Sequence, residues 1–264
     1  MTVTIAATVN VPMPALVAAL KSVVVHAEPT KTGDDVSSLS RVRLILGDGE
    51  LSAVATNSTT SACGHVEILE DSRDERFAAD DGVFGLDLPV YWTKKLVGTF
   101  RPGKPGADAE EQEIRLAVDT EAKFATLTDV TGLWPGASLV VPLLPYSSDY
   151  PDVLEILAEA WRGASGAGAK PLVTPVGPLA LFRHAGVAYK PEPLVFEPTG
   201  TEGSSGFLVW AGADFEGHVS SNHATDSLKR RDAQRHEHLL RHGLVAKAPE
   251  NAAALLGAPV GAGV

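Results

Sequence analysis

Two stretches of this chain carry the same succession of elements, and that repetition restricts the fold more than any single motif. Each reads as a short helix followed by antiparallel strands, and together they fill residues 1–145. In the first, Pro14–Val23 sets Leu16, Ala19, Leu20 and Val23 at helical spacing on one face. Pro14 suits the first helical turn, where its missing N–H is no loss. A polar loop runs from Glu28 to Ser40. Arg41–Leu46 and Glu50–Ala55 then flank a Gly47-Asp48-Gly49 tip, the pattern of a β-hairpin. Gly64–Ile68 alternates with period two and reads as a third strand.

The second stretch repeats the order. Phe84–Asp87 reads as a short strand, and Leu88–Val97 as a helix with Leu88, Trp92 and Leu96 on one face. After a Gly/Pro-rich loop from Arg101 to Gly106, Glu113–Val118 and Lys123–Leu127 flank a turn at Asp119–Glu121. Ser138–Leu143 closes the unit. The matched helix prolines, Pro14 and Pro89, lie 75 residues apart. A third unit is less complete, with a helix at Pro178–Ala185 and strands at Pro193–Glu197 and Gly206–Ala211. Before it come an amphipathic helix, Asp152–Trp161, and a small-residue linker, Gly163–Gly168. Asp226–His242 is dense in Arg, Lys and His and reads as a solvated helix. Residues 249–264 are an Ala/Gly/Pro-rich tail. The expectation is an α+β fold divided at 1–145, 146–217 and 218–264.

Few chemistries fit the composition. The chain has 22 basic and 33 acidic residues, a net charge of −11, which is unlike a freely nucleic-acid-binding protein. An acidic exterior can still coexist with one basic face. Met1–Ile5 lacks the basic and apolar regions of a leader, and no run approaches the roughly 18 apolar residues of a membrane span. The single cysteine, Cys63, can form no internal disulfide and gives no metal cluster. These features point to the cytoplasm. There is no phosphate-binding Gly-rich loop ending in Lys-Ser/Thr and no Gly-x-Ser-x-Gly elbow. Cys63 and His65 would share a strand face, but no third orienting group is visible, so Cys63 reads as a buried structural thiol. Trp92, Trp134, Trp161 and Trp210 read as core or interface residues. His218, Asn222, His223, His236, His238 and His242 cluster late in the chain. His238 and His242 stand one helical turn apart and could share a metal, the basis of a nuclease reading. The run from His236 does not continue as His-Glu-x-x-His, however, because position 240 is Leu. The late histidines therefore read as part of a solvated basic helix, and no catalytic set, cofactor or metal emerges.

The repeated order resembles the sliding clamps, the ring-shaped processivity factors of DNA polymerases. Leu51–Asn57 is similar to the bacterial clamp segment where a strand runs into Ala-Thr-Asp/Asn. Leu144–Pro151 is similar to the acidic-aromatic-proline step after the second repeat. The resemblance covers residues 1–150 and, more weakly, 170–217. It implies tandem βαβββ units, with antiparallel sheets outside and helices on one face lining a hole for DNA. It further implies a non-enzymatic homo-oligomer that holds double-stranded DNA by its backbone and tethers a polymerase or other replication protein. The cations on the three helix segments would face the phosphates: Lys21, Lys94, Lys95, Arg101 and Arg183. An alternative is a clamp-derived protein–protein module that does not encircle DNA. The chain also departs from the family pattern. About three units are visible, the helix at 152–161 has no counterpart, and the 47 residues after Gly217 do not read as strands.

Overall fold

The computed structural model describes residues 7–29, 37–47, 49–73, 84–102, 112–119, 123–164, 176–201 and 204–221. The first unit comprises β1 (Ala7–Pro12), α1 (Met13–Val23), β2 (Arg41–Leu46), β3 (Glu50–Thr56), β4 (Thr60–Glu67) and β5 (Glu70–Arg73). The second comprises β6 (Phe84–Pro89), α2 (Val90–Thr99), β7 (Glu113–Asp119), β8 (Phe124–Asp129) and β9 (Ser138–Pro142). Then follow α3 (Val153–Ala164), α4 (Val176–Leu181), α5 (Arg183–Ala188), β10 (Val195–Thr201), β11 (Ser204–Ala211) and β12 (Phe215–Ser221). This is the expected α+β class. The late basic segment and the tail lie outside the described residues, as does most of the linker. Among the described residues, no helix is long and apolar enough to cross a membrane.

Both units begin with a strand that runs straight into a helix through a proline. Pro12 caps α1 at φ −60°, ψ 123°, and Pro89 caps α2 at φ −61°, ψ 139°. The equivalent prolines are thus Pro12 and Pro89, rather than Pro14 and Pro89. Pro89 is still extended, so α2 starts at Val90 and Leu88 remains a strand residue. The buried side of α2 is accordingly Val90, Thr93 and Leu96, with Trp92 only half-buried.

The units are interleaved rather than stacked side by side. β1 leaves the strands of its own hairpin and pairs with β7, from Ala7↔Val118 to Pro12↔Glu113. In exchange, β6 pairs with β2, from Arg41↔Pro89 to Leu46↔Phe84. The two sheets run β5-β1-β7-β8-β9 and β10-β11-β12-β4-β3-β2-β6. All the strand pairs in both sheets are antiparallel. Their shared core contains Val9, Val11, Leu44, Leu88, Ile114 and Leu116, together with Leu16, Leu20 and Leu96 of the helices. α1 lies so close to β4 that a Cβ at Gly64 would sit 2.8 Å from the Ala19 methyl, so this position requires glycine.

β12 extends the larger sheet from the β4 edge, in the register Phe215↔Gly64 to Val219↔Thr60. The strand reaches past Gly217, where the sequence showed none. Gly217 gives it no apolar signal because the Phe182 ring occupies the place of its side chain; a Cβ there would lie 2.4 Å from that ring. α3 covers the opposite face of this sheet, where Val153, Leu157 and Tyr150 pack with Val54 and Cys63. The sheet therefore has an inner face toward α1 and an outer face under α3.

An ion network holds β6 in place. Arg43 Nε donates to Asp87 Oδ1 at 2.7 Å and Arg41 donates to Oδ2 at 2.8 Å. The same guanidinium groups reach the carbonyls of Pro145 and Ser147, at 3.0 and 2.8 Å. Asp87 is fully buried and both arginines nearly so. Asp87→Ala would leave two guanidinium groups buried without their anion, at a cost of about 3–5 kcal/mol. Urea unfolding should show that loss; a loss below about 1 kcal/mol would contradict this role.

His26, just past α1, packs against Phe182 with ring centroids 4.7 Å apart. The Thr60 hydroxyl donates to Asn57, so His26 Nδ1 must donate to Thr60, over 2.9 Å. Nε2 is buried without a partner among the described residues. Burial, with a smaller push from His184, lowers the imidazole to about 3. The unfolded chain then takes up a proton below about pH 6.5 that the folded chain refuses, so stability is full above that pH and declines below it. Between pH 6.5 and 5, wild-type protein should lose up to about 1.4 kcal/mol per pH unit more than His26→Asn. Parallel pH profiles from urea titrations would refute this.

Candidate nucleic-acid interface

The inner face is built around α1, which packs against α2 on one side and α5 on the other. Its apolar stripe of Leu16, Ala19, Leu20 and Val23 is buried as the periodicity predicts. Lys21 lies off that stripe, half-exposed in the last turn, where a cation complements the helix dipole. On α2, Lys94 and Lys95 are exposed, and Lys95 Nζ lies 4.5 Å from the centroid of the Trp92 ring. Arg101 follows α2, exposed, with Nε donating to the Gly98 carbonyl at 3.2 Å. Arg183 opens α5 and is exposed.

Electrostatics link two of these helices. The His184 imidazole is lowered by its burial first, and then by the positive charges of Arg183 and Lys21. Lys21 of α1 and Arg183 of α5 thus both act electrostatically on His184, while Lys94 and Lys95 lie on α2 and Arg101 just past it.

The distribution of acid completes the picture. The chain has 33 acidic residues, yet α1, α2, α4 and α5 contain none. α3, on the outer face, carries Glu155 and Glu159. A helix face that holds only cations in an acidic protein can attract a phosphate backbone locally.

The other candidates fall elsewhere. His218 is half-buried on β12, with its imidazole lowered by burial. Asn222, His223, His236, His238 and His242 lie outside the described residues. Cys63 and His65 do share a face, the outer one, and Glu216 of β12 joins them there. Sequence reading also missed the Arg41–Arg43–Asp87 network. Alternate charged positions in β2 were its only trace, and Asp87 enters from another unit.

No family model matches the chain, and no curated protein matches it in sequence. Solved structures match it in fold. The DNA polymerase III β subunit of Thermotoga maritima aligns with a TM-score of 0.56 at 12% identity, covering 83% of this chain and 65% of that one. A putative DNA polymerase III β subunit from Eubacterium rectale aligns at 0.54 and 7% identity, covering 85% and 67%. A DNA polymerase sliding clamp from Pseudomonas aeruginosa aligns at 0.51 and 11% identity, covering 83% and 65%. The chain thus has the sliding-clamp fold, and it spans about two thirds of the length of these structures.

Proposed function

We propose that this chain, built on the sliding-clamp fold, is a non-enzymatic protein that tracks double-stranded DNA with its inner helix face. In this role it tethers a replication or repair partner to the duplex. The observation that carries the reading is the exclusion of every acidic residue from α1, α2, α4 and α5 in a chain of net charge −11. Lys21, Lys94, Lys95, Arg101 and Arg183 contact phosphates without reading sequence. Few cations suffice, because a closed ring retains DNA by topology, and weak contacts permit sliding. The acidic remainder of the surface repels DNA from the outside.

In this role copies of the chain join through sheet edges to close a ring. The chain itself illustrates the principle where β12 continues the sheet from β4. β9 ends the smaller sheet and β10 the larger. Both carry exposed apolar side chains, Val140 and Phe196, suited to pairing with another copy. Leu133 and Trp134, on the connection between β8 and β9, are among the most exposed apolar residues and offer a partner surface.

The DNA contacts are tested by Lys21→Glu combined with Lys94→Glu. Duplex binding followed by fluorescence anisotropy across a salt series should weaken. The slope of log K against log salt should fall by about 2, from roughly 0.9 per lost phosphate contact. Unchanged affinity and slope would remove the helix face from the function and leave the alternative of an interaction module without DNA.

A further inference from the structure

The outer face of the larger sheet carries a side-chain cluster that DNA tracking leaves unused. Cys63 and His65 project from β4 on the same side, and Glu216 of β12 is the register partner of Cys63. Their donor atoms all lie within 4.8 Å of one another. His65 Nε2 and Glu216 Oε1 are 3.7 Å apart, too far for a hydrogen bond. That spacing is close to the roughly 3.3–3.7 Å between two ligands of a tetrahedral ion with bonds of about 2.0–2.3 Å.

Two of the three donors are oriented by a further group. Glu50 Oε1 lies 2.7 Å from His65 Nδ1, and the Ser52 hydroxyl donates to the same carboxylate oxygen at 3.0 Å. Glu50 thereby accepts the hydrogen bond from Nδ1–H, which turns Nε2 toward the cluster. The Trp161 indole N–H, from α3, donates to Glu216 Oε2 and leaves Oε1 toward the cluster. A carboxylate behind a histidine is the usual outer shell of a histidine-bound metal. Cys63 is wholly buried, while His65 and Glu216 are partly exposed and give an ion a way in.

We propose that Cys63, His65 and Glu216 bind a zinc-class divalent transition metal, with Glu50 and Trp161 as positioning residues and water in the fourth place. Thiolate and imidazole select such an ion over calcium or magnesium. Two carboxylates around the ring already favour positive charge there. A metal binds the thiolate and the neutral imidazole, so its uptake releases protons. The bound ion staples β4 of the first unit to β12 of the last segment and, through Trp161, fixes α3 across the seam.

Cobalt reports on this directly, because Cys63 is the only cysteine in the chain. Metal-stripped full-length protein titrated with Co²⁺ should bind one ion at this site. It should show a thiolate-to-cobalt charge-transfer band and the visible bands of tetrahedral cobalt, both displaced by Zn²⁺. Cys63→Ser should abolish the charge-transfer band. Glu216→Gln and Glu50→Gln should weaken binding about tenfold or more. Zinc should raise the unfolding midpoint of the wild type and leave that of Cys63→Ser unchanged. Absence of the charge-transfer band in folded wild-type protein would overturn the proposal. So would zinc binding that is unchanged in both Cys63→Ser and Glu216→Gln, which would assign the metal to other groups such as the late histidines.

Discussion

A single buried carboxylate, Asp87, is the point on which the two units depend. It belongs to the second unit, yet its partners Arg41 and Arg43 belong to the first. Burying three charges is costly unless every one is satisfied, and a slip of register would strand all of them. The network therefore fixes which strand β2 accepts and in what register. The exchange of β1 and β6 follows from it, because each strand completes the sheet of the other unit. The guanidinium groups also hold the carbonyls of Pro145 and Ser147, and Arg43 lies over the Tyr146 and Tyr150 rings at 4.3 and 4.6 Å. The segment leading into α3 is thus docked by the same interaction, and Tyr150 enters the small core beneath that helix.

The exchange gives the larger sheet two faces with different chemistry. On the inner face, α1 sits between α2 and α5, and these helices are free of acidic residues. On the outer face, α3 brings glutamates, and the Cys63–His65–Glu216 cluster lies among Glu50, Ser52 and Trp161. Net charge averages over these faces and conceals both. A duplex would meet the local field of the inner face, whereas a metal ion would meet the donors of the outer one.

Much of the local structure was legible in the sequence. The β2–β3 hairpin was marked by its Gly-Asp-Gly tip, where Gly49 has φ +77°. The helices were marked by their periodicity, and the residues expected to be cationic lie on them or just past them. What was hidden depends on partners distant in sequence. Periodicity cannot show that β1 pairs with β7, because that pairing is settled by cores and charges of both units. β12 alternates Phe215 and Val219 with a glycine between them, and that glycine removes the usual strand signal. The third member of the Cys63–His65 pair comes from that same hidden strand, so the cluster could not be assembled from spacing alone. The apolar side of α2 was displaced because the helix starts after Pro89, at Val90, two residues later than its periodicity suggested.

In the proposed role, copies of this chain close into a ring through sheet edges such as β9 and β10. Sedimentation velocity over a range of protein concentrations tests that most directly. A closed ring predicts one discrete species whose mass is a small integer multiple of 27.6 kDa and does not grow as concentration rises. A monomer at every concentration, or open-ended growth without a limiting mass, would contradict it.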